Sequence, residues 1–160
     1  MPDFVAQEFG TEITRLTNLY LDKIDRLHRD SVKDVFRRVI NRTPIDYERS
    51  DPKTVGRARA NWILTRRSPS ERLLTDNDEE GGRAPLLMYR GPTVEKMESA
   101  VESSSIFTRN FYLTNNVHYI IRLEYLRTSK QAPYGMRDIT LTEFLTLVEM
   151  NRRIQLARRR

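Results

Sequence analysis

"EITRLTNLYLDKIDRLHRDSVKDVFRRVI", residues 12–40, decides the architecture. Ile13, Leu16, Tyr20, Ile24, Leu27, Val35 and Val39 recur mostly at steps of three, four or their multiples. That spacing gathers apolar side chains on one face of an α-helix. Thr11 stands where an N-cap would. Pro44 sets the other limit, because the residue before a proline is pushed out of helical geometry. The pattern predicts a helix over about 9–41, roughly 45 Å long at 1.5 Å per residue. A slip of the apolar phase at Asp30-Ser31 could break it. Such a helix is long for a 160-residue chain, so it is expected to meet a neighbouring subunit as well as its own domain.

Downstream, "NRTPIDYERSDPK" (41–53) reads as a loop, with two prolines and several turn formers. In "GRARANWIL" Ala60, Trp62 and Leu64 alternate with other residues, which predicts a strand. A polar, glycine-bearing stretch at about 68–85 follows and is expected to be a mobile loop. "LLMYR" (86–90) could return as the paired strand. Val94, Met97 and Val101 mark a short helix after Pro92. "SIFTRNFYLTNN" is β-branched and aromatic and predicts a strand ending at Asn115-Asn116. "VHYIIRLEY" (117–125) fits both period two and a helical turn. Thr140 with Glu143 has capping-box spacing before a C-terminal helix that runs into arginines. The fold class expected is α+β: one domain over 1–160, a small mainly antiparallel sheet, the long first helix, short middle helices and a C-terminal helix.

Composition narrows the function. No window approaches the roughly 18–20 apolar residues of a membrane span. "MPDFVAQEFG" has neither a basic start nor a long apolar core and is not expected to act as a signal peptide. The chain has no cysteine, which removes disulfides, thiol nucleophiles and Cys-ligated zinc and suits a reducing cytoplasm. The net charge of +6 leaves nucleic acid, a membrane surface or acidic proteins as partners. Arg57, Arg59, Arg66, Arg67 and Arg72 crowd one region; Arg152, Arg153, Arg158, Arg159 and Arg160 crowd another. The second group also reads simply as a solvated helix end complementing the helix dipole.

Chemistry is hard to find. Only His28 and His118 are present, and no Ser-His-Asp set is suggested by spacing. His28, among Arg26, Arg29 and Asp30, is expected to face solvent. Asp76, Asp78, Glu80 and Gly81 imitate the start of a calcium loop, but position 12 is Leu87 where a bidentate Glu belongs. Gly81-Gly82 lacks the Lys-Ser/Thr of a phosphate loop. No catalytic residue, metal ligand or cofactor site is therefore assigned. On a strand, Arg57 and Arg59 would share a face and could clamp carboxylates or phosphates.

Three blocks in order carry a resemblance: "TPID" with "GRARANW", then "LTNNVHYIIRLEY", then "SKQAPYGM". Together they resemble the minor tail or tail-completion family of long-tailed bacteriophages. The matching positions are Thr43, Pro44, Asp46, Gly56, Arg57, Arg59, Asn61, Trp62, Asn115, Tyr119, Leu123, Glu124, Ser129, Gln131, Ala132, Pro133 and Gly135. The chain departs in two places. "YERSDPKT" separates Asp46 from Val55-Gly56, and Leu126 stands where the family has a glycine. The resemblance favours a helix at 117–125.

The resemblance implies a non-enzymatic virion protein of the neck or tail, assembled in the host cytoplasm, that completes the tail and joins it to the DNA-filled head. Its partners would be further copies in a ring around the DNA channel, expected to number six, and adjacent neck, connector and tail-tube or tail-terminator proteins. Double-stranded DNA could be touched non-specifically, with Arg66, Arg67, Arg152, Arg153, Arg158, Arg159 and Arg160 as candidate contacts. A structural lock is expected from Arg57, Arg59, Trp62, Glu124, Gln131, Pro133 and Gly135. In it an arginine would satisfy the Glu124 carboxylate, which is costly to bury alone, and Pro133 and Gly135 would set the path of "SKQAPYGM" (129–136), a polar strap after the apolar run that ends at Glu124-Tyr125. The competing reading is a basic nucleic-acid-binding protein outside the virion. A nuclease or wall hydrolase lacks a convincing acid/base or metal set.

Overall fold

The computed structural model describes residues 2–45, 56–74, 92–104 and 110–157. Helix α1 spans Pro2–Arg42, 41 residues, about 60 Å of helix at 1.5 Å per residue. It runs unbroken through Asp30-Ser31, where the apolar phase slips. Thr11 does not cap it: the hydroxyl donates back to the Gln7 carbonyl at 2.9 Å, one turn earlier inside the helix. After α1 come α2 (Arg57–Ala60), β1 (Ile63–Thr65), α3 (Pro92–Glu102), β2 (Tyr112–Thr114), α4 (Ile120–Tyr125), α5 (Arg137–Thr142) and α6 (Phe144–Ala157).

The sheet is a two-stranded antiparallel ribbon. β1 pairs β2 with Ile63 opposite Thr114, Leu64 opposite Leu113 and Thr65 opposite Tyr112. So small a sheet is stable only against helices, and α1 supplies the support. Ile40, Met97 and Val101 form one buried cluster, joined by Phe36, Trp62, Leu64 and Leu113. Val39, Ala132 and Met136 form a second, also reached by Trp62 and Leu113. Both clusters therefore sit on the last turns of α1. The helix-period apolar pattern is real along its whole length, but only its second half is enclosed.

Charged side chains fasten α1 to α3 and α6. Arg37 donates to Glu98 and to Asp34, each at 2.6 Å, and Asp34 accepts the Asn151 amide at 2.8 Å. This chain of contacts crosses from α3 through α1 to α6. Lys33 reaches Asp30 and Glu102, both at 3.0 Å. Arg38 and Arg42 converge on Glu143, at 2.7 and 2.8 Å.

Several expectations change here. The segment around Arg57 and Arg59 is one helical turn, not a strand, and the strand begins only at Ile63. Gly56, at φ 74°, swings the chain into that turn, a left-handed conformation that glycine adopts without strain. Arg57 and Arg59 thus point about 160° apart rather than from one face. The partner of β1 is β2; the "LLMYR" segment, the calcium-like Asp76–Gly81 stretch and most of the 68–85 loop lie outside the described residues. Residues 120–125 are helical. Thr140 lies inside α5 and donates to the Met136 carbonyl at 2.7 Å, while Glu143 turns to Arg38 and Arg42, so they form no capping box. His28 is half-buried with its ring 5.7 Å from that of Phe111. His118 is exposed and sits edge-on to Tyr119.

Ile40, fully buried, and Leu145, 79% exposed, give a direct contrast. Ile40→Ala is expected to lower unfolding stability by about 2–5 kcal/mol. Leu145→Ala should stay within about 0.5 kcal/mol. Urea unfolding followed by circular dichroism measures both.

Candidate functional site

The lock begins where α1 stops. The last carbonyls of a helix have no partner inside it. Arg59 takes two from this end: its Nη2 donates to the Asn41 carbonyl at 2.6 Å and to the Thr43 carbonyl at 2.7 Å, and its Nε to Thr43 at 3.0 Å. A cation at this end also meets the negative pole of the helix. The Thr43 hydroxyl donates to the Val39 carbonyl at 2.9 Å and accepts the Trp62 indole N–H at 2.7 Å. Two residues on, Gln131 grips the backbone of Ile45. Its Oε1 accepts the Ile45 N–H at 3.0 Å and its Nε2 donates to the Ile45 carbonyl at 2.8 Å. Thr43, Pro44 and Ile45 are all buried.

Glu124 forms the second half. It is 8% exposed, and its partners are backbone amides rather than an arginine. The carboxylate accepts the N–H groups of Met136 at 2.8 Å, Arg137 at 3.0 Å and Asp138 at 3.0 Å. These are the orphan donors at the start of α5, so the buried charge is met by a fan of N–H dipoles. The expected ion pair with Arg57 or Arg59 is thereby replaced: Arg59 is drawn to the end of α1, and Arg57 enters the lock through its carbonyl, which accepts the Asn61 side-chain amide at 2.9 Å.

Gly135 is what lets Glu124 come so close. Its φ is 75°, and a Cβ there would lie 2.7 Å from Glu124 Oε1 and 2.9 Å from the Glu124 carbonyl oxygen. Ala132 and Met136 flank it and fill the cluster with Val39. Pro133 and Tyr134 face outward. The strap asked for by "SKQAPYGM" thus alternates between anchors facing α1 and residues facing solvent.

Asparagines complete the joint. Asn61 Oδ1 accepts the Leu74 N–H at 2.7 Å, Asn115 donates to the Ala58 carbonyl at 2.6 Å, and Asn116 donates to the carbonyls of Ser70 and Arg72, both at 2.7 Å. Asn116, Arg38, Arg42 and Glu143 were not singled out in the sequence as site residues. The Asn-Asn pair at a strand end was a signal; the arginines, one helical turn apart, were indistinguishable from a solvated face.

The candidate DNA contacts are not drawn together among the described residues. Arg66 and Arg67 are exposed just after β1. Arg152 and Arg153 lie on α6 and both bond Glu149, at 2.7 and 2.9 Å. Arg158, Arg159 and Arg160 lie outside the described residues. Hydrogen bonds from Arg152 and then Arg153 pull the Glu149 carboxyl down to about 2, so the acid offsets their charge throughout the neutral range. No group of acidic or histidine side chains among the described residues could hold a metal ion, and no described helix is long and apolar enough to cross a membrane. No protein family, curated protein or solved structure matches the chain, so the resemblance is carried by the motif residues alone.

Two outcomes check the lock. Glu124→Gln keeps the shape but aims an amide group at three N–H donors, and should cost about 1.5–3 kcal/mol in urea unfolding. Gly135→Ala should cost about 1–3 kcal/mol, and less in a Glu124→Ala background, where the Oε1 contact is gone. A separate check concerns Glu149. Because its pKa is depressed, its favourable contribution is complete above the ordinary value of 4.5 and fades as pH falls through about 2. Carboxyl carbon NMR should show a midpoint near 2, rising toward 4.5 when Arg152 and Arg153 are both changed to alanine.

Proposed function

We propose that this chain is a structural protein of a bacteriophage virion, a neck or tail-completion component that joins the tail to the DNA-filled head. One observation supports the reading above the others. The three motif blocks lie far apart along the chain, yet their residues are stitched to one another at the end of α1. Thr43 meets Arg59 and Trp62, Ile45 meets Gln131, Ala58 meets Asn115, and Glu124 meets the backbone beside Gly135. A chance likeness in three separate blocks has no reason to converge; a common structural unit does.

In this reading the lock holds the body rigid and the surfaces do the work. Copies associate head to tail, since a ring needs two different faces of each protomer. The neighbours are the connector on one side and the tail-tube or terminator proteins on the other. Arginines facing a central channel would touch phosphate without reading sequence. The competing reading, a nucleic-acid-binding protein outside the virion, draws on the net charge of +6. It loses support from Arg152 and Arg153, which share Glu149.

Electron microscopy of lysates from a phage with this gene disrupted tests the proposal. Separate DNA-filled heads and finished tails are expected, with joining restored by the wild-type chain. Normally joined particles, or an absence of packaged heads, would overturn the joining role. In that case a steep fall of DNA affinity with added salt would favour the nucleic-acid alternative.

A further inference from the structure

The outer half of α1 carries an apolar seam that nothing among the described residues covers. Phe9, Ile13, Leu16 and Tyr20 follow at steps of four, three and four, the 3.5-residue repeat by which two helices pack along a common seam. They are 68%, 47%, 36% and 63% exposed, and Ile24 beyond them is 62% exposed. Together these five leave roughly 500–600 Å² of surface in water, the size of the largest apolar patches that monomers carry. Scattered exposed leucines are ordinary, whereas a continuous patch of this size marks a binding face.

The seam continues the face on which α6 packs. From Ile24, steps of three and four lead to Leu27, Ser31, Asp34 and Arg38. Asp34 accepts Asn151 of α6, and Arg38 bonds Glu143 just before it. α6 therefore runs antiparallel to α1, and its Gln155 amide lies at the Lys23–Leu27 turn. Only Leu156 and Ala157 of the described chain follow Gln155. Residues 9–20 extend past Ala157, the last described residue of α6, with the same apolar stripe and, among the described residues, no helix against it.

Charge chooses the occupant and its direction. Residues 2–14 hold Asp3, Glu8 and Glu12 and no basic side chain, while residues 15–27 hold Arg15, Lys23 and Arg26 against Asp22 and Asp25. A parallel second copy would lay acid on acid. An antiparallel copy sets the acidic end of each helix against the more basic end of the other. In the register that places Phe9 over the second copy's Tyr20, Ile13 falls over the second copy's Leu16, and every seam position finds an apolar partner. We propose that a second copy of this chain lays the outer half of its α1 antiparallel across this seam, making a two-fold dimer of the free protein. The two-fold relation is the self-complementary kind of interface. The inference does not rest on the virion reading and is tested on purified protein.

The chain has no cysteine, so introduced thiols report without background. Light scattering of the wild-type protein should give twice the chain mass. Ile13→Glu with Tyr20→Glu should weaken the dimer at least about 100-fold while leaving circular dichroism and the melting profile of the body intact. Under oxidation, Phe9→Cys and Tyr20→Cys chains should cross-link when mixed and neither should cross-link alone, with Ser103→Cys on exposed α3-end surface as the control. A monomeric wild-type mass, a dimer that survives the double glutamate change, or Phe9→Cys chains linking to themselves would each overturn the proposal. None of these outcomes bears on whether disrupting the gene separates heads from tails.

Discussion

The end of α1 is the constraint on which the rest of the structure depends. A helix of 41 residues leaves its final carbonyls bare, and the chain that leaves it is buried at Thr43, Pro44 and Ile45. Leaving such groups unmet would cost about 1–3 kcal/mol each. Arg59 meets the Asn41 carbonyl of the last turn and the Thr43 carbonyl just past it, and that single guanidinium fixes where α2 sits against α1. Trp62 follows three residues later, and its indole N–H on Thr43 places the start of the ribbon. The strands then pair over the end of α1, where Leu64 packs on the Ile40 cluster and Leu113 on both clusters.

Glu124 does for α5 what Arg59 does for α1, with the signs reversed. A carboxylate below the surface needs several donors to offset lost hydration. The start of α5 offers three unmet N–H groups, and Gly135 removes the one atom that would block the approach. The two caps are joined through Gln131, which holds Ile45 from the strap that Gly135 bends. Each end of the lock thus positions the other, which is how residues 43, 59, 124, 131 and 135 come to share one small volume.

This arrangement divides the molecule into a fastened body and a projecting helix. The inner half of α1 is held on two sides by Arg37, Lys33, Arg38 and Arg42 acting through α3 and Glu143. Among the described residues the outer half has no such fastening, and it keeps its apolar stripe in solvent.

Much of this was legible in the sequence. Period 3.6 over residues 12–40 and Pro44 marked the body and the end of α1, because helix periodicity and proline sterics are local, while its start at Pro2, seven residues before the expected one, carried no such signal. Val94, Met97 and Val101 likewise marked α3, and Asn115-Asn116 marked the end of β2. The motif blocks pointed to Arg59, Trp62, Glu124, Gln131 and Gly135 before any contact was known. Partner choice was not legible. Nothing local says that Glu124 prefers three amides to an arginine, since that depends on α5 starting beside it and on Arg59 being held at Asn41 and Thr43. Nor could alternation in "GRARANW" distinguish a strand from a four-residue turn, because burial of Ala58 and Ala60 suits both and the crowding against α1 decides. Local sterics and periodicity belong to the chain; which buried polar group answers which is settled only when distant segments close on one another.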